Sequence, residues 1–299
     1  MKKTLSLIAI SLIFTLVGCE SSDEPALDPA DVPMVVEGWI EEGRAPIVMV
    51  THAVDLTVDN PSFDSIPDPW CRVIIYDNDT PNVLTLRKSD AYMPPLIYTS
   101  SRLKGRVGHT YRLVVESENH TLTATATLTK SPRIDSVRTV PVPGTDSLFS
   151  LTAYTSDIQP GTYHKYYTKT IGVDPRPYPT FLGNVAADSY NPETGTPITR
   201  GKRAPLDDTT AQTDNHYYRL GQTVIVQCSS MDRDIYDLWR AYDSNISFSD
   251  NLFITFTSNL PSNIQGGLGY FAAYGSMCQY TSSAACSTFN VPTIFFLNP

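Results

Sequence analysis

Apolar and polar positions alternate in short bursts along most of this chain. From Thr121 to Leu128, the apolar residues Leu122, Ala124, Ala126 and Leu128 are each separated by a threonine. That period of two belongs to a strand with one buried and one wet face. The same reading predicts strands at Met34–Ile40, Pro46–His52, Cys71–Tyr76, Val83–Leu86 and Tyr111–Glu116, with turn residues between them. Ser131-Pro132 reads as a boundary. Beyond it, strands are predicted at Leu148–Tyr154, Tyr163–Ile171, Tyr217–Gln227, Leu252–Thr257 and Tyr270–Tyr280. Asp174 to Asn215 is polar, rich in Pro, Gly and Thr and without a clear period, so it is predicted as a long loop. A second loop, Thr57 to Trp70, carries Pro61, Pro67 and Pro69, which stiffen it without hydrogen bonds.

One stretch has the other period. Ile235, Leu238, Trp239, Tyr242 and Ile246 form a single apolar stripe at helical spacing, with Arg233, Asp234, Asp237 and Arg240 off it. A helix near 232–246 follows, with Ser230 or Asp232 as candidate caps for its free first-turn N–H groups. The fold class is therefore mainly β: an N-terminal immunoglobulin-like β-sandwich over 33–130, then a second β-rich domain over 131–299 carrying one amphipathic helix.

Composition sharpens this picture. The chain holds 17 Tyr, 23 Pro and 16 Gly, a balance that suits strands joined by turns. Residues 1–18 read as a signal peptide: Met1-Lys2-Lys3 is basic, and Leu5 to Val17 is a short apolar run. That run is shorter than the roughly 20 residues a spanning helix needs. Without residues 1–18 the chain keeps 20 basic and 31 acidic side chains, a net charge of −11. With no basic block, such a chain repels phosphate backbones, so no nucleic-acid partner is expected.

Leu16-Val17-Gly18-Cys19 resembles the lipobox of bacterial lipoproteins, which implies that Cys19 is lipidated and becomes the mature N-terminus. Two or more acyl chains anchor stably where one holds only marginally, because each buried methylene contributes about 0.8 kcal/mol. Residues 19–32 form an acidic tether; its start, Glu20-Ser21-Ser22-Asp23-Glu24, resembles the surface-export signal of Bacteroidetes lipoproteins. The expected location is the outer membrane, lipid-anchored and exposed at the cell surface.

The other cysteines are Cys71, Cys228, Cys278 and Cys286. In an exported chain this even count permits two disulfides. Cys278 and Cys286 flank a Ser/Ala-rich segment and are the favoured pair; Cys71 and Cys228 either bridge the two domains or stay as buried thiols. No C-x-x-C, H-E-x-x-H or G-x-S-x-G occurs, so thioredoxin, zinc-protease and hydrolase-elbow readings have no foothold. His52, His109, His120, His164 and His216 are scattered, and most read as surface or sheet-edge residues. Asp207-Asp208 sits beside Lys202 and Arg203 in the polar stretch and reads as a solvated turn. No catalytic residue, cofactor or metal is assigned. Tyr163, Tyr166, Tyr167 and Tyr178 either pack within strands or form a contact surface. Ser65, Ser136, Ser147 and Thr209 follow Asp in triplets that resemble the O-glycan acceptor of Bacteroidetes exported proteins.

Gly267-Leu268-Gly269-Tyr270-Phe271-Ala272 fits the loose form of a dinucleotide-binding turn, but Pro261-Ser262-Asn263 precedes it and no helix pattern follows. The glycines are expected instead to serve the entry of a final aromatic strand. Three segments together, Val35-Val36-Glu37-Gly38-Trp39-Ile40, Asp232 to Ile246, and Pro261 to Phe271, resemble domain-of-unknown-function family 4249. The resemblance covers most of residues 19–290. It implies a lipoprotein of Bacteroidetes whose partner is a TonB-dependent transporter, and it supplies no catalytic residue. The expected function is a non-enzymatic accessory to nutrient transport. A fimbria-associated adhesive protein and, less favoured, a surface polymer hydrolase are the alternatives.

Overall fold

The computed structural model describes residues 33–53, 67–90, 92, 94–118, 120–174, 176–200, 216–249 and 260–282. Sixteen strands and one long helix lie among them, and the fold is mainly β as expected. The first strands are β1 (Met34–Glu41), β2 (Ile47–His52), β3 (Arg72–Asp77), β4 (Thr80–Val83), β5 (Thr85–Lys88), β6 (Leu96–Thr99), β7 (Thr110–Glu116) and β8 (Thr121–Thr127). Next come β9 (Arg133–Pro141), β10 (Leu148–Ser156), β11 (Tyr163–Thr170), β12 (Tyr178–Ala186), β13 (Thr196–Ile198), β14 (Tyr218–Arg219) and β15 (Thr223–Met231). Helix α1 (Arg233–Ser249) and strand β16 (Leu268–Ser282) complete the series.

One eight-stranded sheet, ordered β12-β11-β15-β16-β1-β2-β6-β5, organises everything else. Its centre joins distant parts of the chain, for β16 runs parallel to β1 with Val36 opposite Gly269 and Glu41 opposite Tyr274. On one face of this sheet lie two four-stranded sheets, β4-β3-β7-β8 and the β9-β10-β13-β14 group. The first core fills the space under β1, β2 and β16 with Val36, Ile40, Val48 and Phe271 against Val73, Ile75, Leu113 and Leu122. The second sets Val224, Val226 and Tyr166 against Phe149, Leu151 and Ile198. Each fully buried side chain of this kind contributes about 1.5–3 kcal/mol. The two cores divide near the expected boundary, but the large sheet runs across it. Ser131 is itself buried, and its hydroxyl donates to the Cys228 carbonyl at 2.7 Å. The described residues, which begin at Pro33, group as one compact unit.

Departures from the predicted elements have local causes. The strand expected at Val83–Leu86 is two strands, because the chain changes sheets at buried Leu84: β4 pairs with β3 and β5 with β6. Tyr217–Gln227 is likewise split, by a turn at Leu220-Gly221 where Gly221 takes φ +85°. The polar stretch 174–215, predicted as loop, contains β12 and β13. Pro179 and Gly183 break any clean period in β12, which an edge strand tolerates. The Leu252–Thr257 strand and the aspartates at 207 and 208 fall outside the described residues.

The glycine-rich segment does what backbone geometry required. Gly269 has φ +101°, and a Cβ there would run into the Val36 carbonyl of the neighbouring strand. At Gly267 a Cβ would strike the Leu122 side chain and lie 2.8 Å from the Met34 carbonyl oxygen. Just upstream, the Asn263 amide group donates to the Phe271 carbonyl and accepts from its N–H, both at 2.9 Å. A side chain thus stands in for a missing strand neighbour at the start of β16.

Candidate functional site

The opposite face of the large sheet carries α1 and, beside it, a cavity of about 340 Å³. Period two in β1 sends Val36 and Ile40 into the core, and Glu37, Trp39 and Glu41 to the cavity floor. The same alternation supplies Tyr270 and Tyr274 from β16, Gln227 and Ser229 from β15, Tyr167 from β11 and Met49 from β2. The walls come from other elements: Trp239 of α1, Arg44 after β1, Tyr92, and the Arg176-Pro177-Tyr178-Pro179 entry to β12.

Aromatic rings dominate this cavity and meet edge to face. Tyr167 crosses Trp239 at 88° and Tyr274 at 70°, with centroids 6.2 and 6.3 Å away. Trp39 and Tyr92 lie 6.0 Å apart, and the Arg176 guanidinium sits over both Tyr92 and Tyr178 at 5.7 and 5.6 Å. Burial drives the Tyr167 and Tyr270 phenols well above their ordinary pKa and Tyr274 to about 12. These hydroxyls therefore stay protonated near neutral pH and act as hydrogen-bonding groups rather than bases.

The two carboxylates have different fates. Glu41 accepts from Gln227 Nε2 at 2.7 Å and Ser276 Oγ at 3.0 Å, and pairs with Arg44 at 3.2 Å. Both of its oxygens are thus engaged within the protein. The Glu37 side chain has neither a hydrogen bond nor an ion pair among the described residues, although protein packed around its carboxyl raises its pKa. It remains in contact with solvent at the cavity.

Below the Trp239 wall lies a feature that the apolar stripe concealed. Lys165 is fully buried; its Nζ reaches Asp243 at 3.2 Å, Asn184 at 3.0 Å and the Thr180 carbonyl at 3.3 Å, 4.6 Å from the Trp239 ring centre. Asn184 also donates to Asp243. Burial lowers Lys165 to about 8. In α1, Ile235 and Leu238 are buried as predicted, whereas Tyr242 is exposed and Asp243 takes the inward place one residue on. The expected caps are engaged elsewhere: Asp232 accepts from the Thr127 N–H at 2.9 Å, and Ser230 donates to the Thr129 carbonyl at 2.6 Å.

The four tyrosines proposed as a contact surface separate. Tyr167 and Tyr178 line the cavity, and Tyr163 packs on Tyr236 of the helix with centroids 4.8 Å apart. Tyr166 corrects the expectation: it is 1% exposed in the second core, because successive residues of a strand face opposite ways. His164 likewise departs from the surface reading, being buried in β11 with neither ring nitrogen hydrogen-bonded. Cys71 and Cys228 are buried thiols rather than a bridge. Cys286, and with it the pairing to Cys278, lies outside the described residues, as do Cys19, Ser65 and Thr209. Ser147 is exposed just before β10, and Ser136 is half-buried within β9. Among the described residues, no three His, Cys, Asp or Glu side chains cluster as a metal site, and no helix is long and apolar enough to cross a membrane.

The sequence signal for the cavity lay in Glu37-Gly38-Trp39 and the tyrosines of β16, but nothing in one dimension placed them side by side. No curated protein matches the chain. A family model does match, over residues 23–279, and takes in the aromatic floor, the helix and the glycine-rich entry to β16; the chain belongs to the domain of unknown function family DUF4249.

Proposed function

We propose that this protein is a lipid-anchored component of the outer-membrane surface that holds a small ligand in the sheet-floor cavity and serves a TonB-dependent transporter without catalysing a reaction. The observation that carries the binding reading is the cavity itself. It combines many aromatic faces with one carboxylate, Glu37, that no side chain among the described residues hydrogen-bonds or pairs. Small-molecule sites are mostly apolar concavities with a few placed polar groups.

The cavity chemistry favours holding over turnover. Glu37 and Glu41 stand four residues apart on one strand, about 13 Å between their Cα atoms. A glycosidase needs two carboxylates free to act across one bond, and here Glu41 is already tied to three donors. The anchoring half of the proposal rests on Leu16-Val17-Gly18-Cys19 and the acidic run behind it. The transporter partner is the expectation attached to the family resemblance.

Two experiments bear on this. With a C-terminal tag and a mild detergent, affinity purification from native membranes is expected to recover an outer-membrane transporter. Recovery of pilin-like subunits alone would move the protein to the adhesive class. Changing Cys19→Ala is expected to release the chain from the membrane fraction, and unchanged fractionation would remove the lipid anchor from the proposal.

A further inference from the structure

The cavity constrains the chemistry of its occupant, a question that rests on the binding reading above. Glu37 and Glu41 face Arg44 and Arg176 within the same lining, so the formal charges balance. A strongly anionic ligand would meet Glu37, and a strongly cationic one would meet the Arg176 guanidinium, since Arg44 is already paired with Glu41. A purely apolar ligand would cover the Glu37 carboxylate without offering it a donor, and an unpaired buried charge is costly. What remains is a neutral molecule with several hydrogen-bond donors and at least one flat apolar face.

The arrangement of the rings narrows this further. Trp39 and Tyr270 flank Glu37, one two residues along β1 and the other directly opposite it on β16. An apolar face can therefore lie on a ring while donors at its edge reach the carboxylate. Gln227 and Ser229, linked at 3.1 Å, add polar contacts farther along the floor. A pyranose has this shape, with a C–H face and a rim of hydroxyls. We propose that the cavity binds a neutral saccharide unit, stacked on Trp39 or Tyr270, with Glu37 accepting from its hydroxyls. At about 340 Å³ the site is near the small end of ligand cavities, which run from ~300 to ~1,000 Å³. It therefore takes a terminal unit or a short saccharide rather than a long chain in cross-section.

The test uses the full lipoprotein in a non-glycosidic detergent, since a maltoside head group would compete. A glycan array carrying neutral, acidic and amino saccharides is probed first. The strongest saccharide is then titrated while following tryptophan emission, which Trp39 and Trp239 report from the cavity. Binding to neutral glycans is expected, weakened ~10-fold or more by Glu37→Gln, as suits a hydrogen bond to a charged group. Trp39→Ala is expected to weaken it similarly. The Glu37 side chain makes no hydrogen bond or ion pair among the described residues, so Glu37→Gln is expected to melt like the parent and carries the test even where Trp39→Ala fails to fold. The proposal is overturned if no neutral glycan binds, if Glu37→Gln leaves affinity unchanged, or if benzyltrimethylammonium displaces the sugar at lower concentration. None of these outcomes depends on transporter recovery, so the ligand class and the partner stand or fall separately.

Discussion

Removing the Lys165–Asp243 pair is the sharpest way to ask what holds the helix, and with it the Trp239 wall, against the sheet. The two side chains are 0% and 7% exposed and 3.2 Å apart. At an effective dielectric of about 20, unit charges at that distance attract by about 5 kcal/mol. Desolvation of both groups takes back much of this gain, which is why such pairs contribute little net stability. Breaking one is another matter, since the survivor is left as a buried, uncompensated charge. Lys165→Met or Asp243→Leu alone is therefore expected to cost about 3 kcal/mol, the low end of the usual ~3–5, because Asn184 still contacts the survivor. The double variant Lys165→Met/Asp243→Leu replaces the pair with apolar volume beneath Trp239 and should cost well under the sum. A coupling energy of ~2–3 kcal/mol is expected from urea unfolding of the four proteins at pH 7, where Lys165 is still charged. Additive single costs, with coupling below ~0.5 kcal/mol, would show that the pair does not act as a unit and that the helix is held by its apolar and aromatic contacts.

Two further predictions concern the sheet. His164 is buried and its pKa is lowered to about 4 by desolvation, so the folded protein binds its proton more weakly than the unfolded chain does. Stability is then lost as pH falls from about 6.5 toward 4, by roughly 2–3 kcal/mol between pH 7 and 4.5. His164→Leu should flatten that portion of the pH profile, and parallel profiles for variant and parent would count against the argument. At the β16 entry, Gly269→Ala places a Cβ against the Val36 carbonyl at φ +101°, and Gly267→Val drives into Leu122. Each is expected to lower thermal stability by the equivalent of at least ~1–3 kcal/mol, and a melting curve identical to the parent's would refute it.

Period and punctuation were enough to read most of the described strands, the long helix and the structural role of the glycines. Each of those is decided by neighbours a few residues away: alternation in β8, the 3.6 stripe of α1, and glycines followed by aromatic residues at β16. The family resemblance was readable for the same reason. What the sequence could not provide was adjacency. The parallel pairing of β1 with β16 brings Glu37 beside Tyr270 and Glu41 beside Tyr274 across more than two hundred residues. Local pattern carries no information about such pairing, since any strand offers the same row of N–H and C=O groups. Nor could composition divide the carboxylates into Glu41, which the fold consumes, and Glu37, which faces the cavity. The buried Lys165–Asp243 pair was concealed by a local rule, because charged residues are assigned to wet faces unless a partner is known. That partner lies 78 residues away, and only the packing of α1 on β11 supplies it.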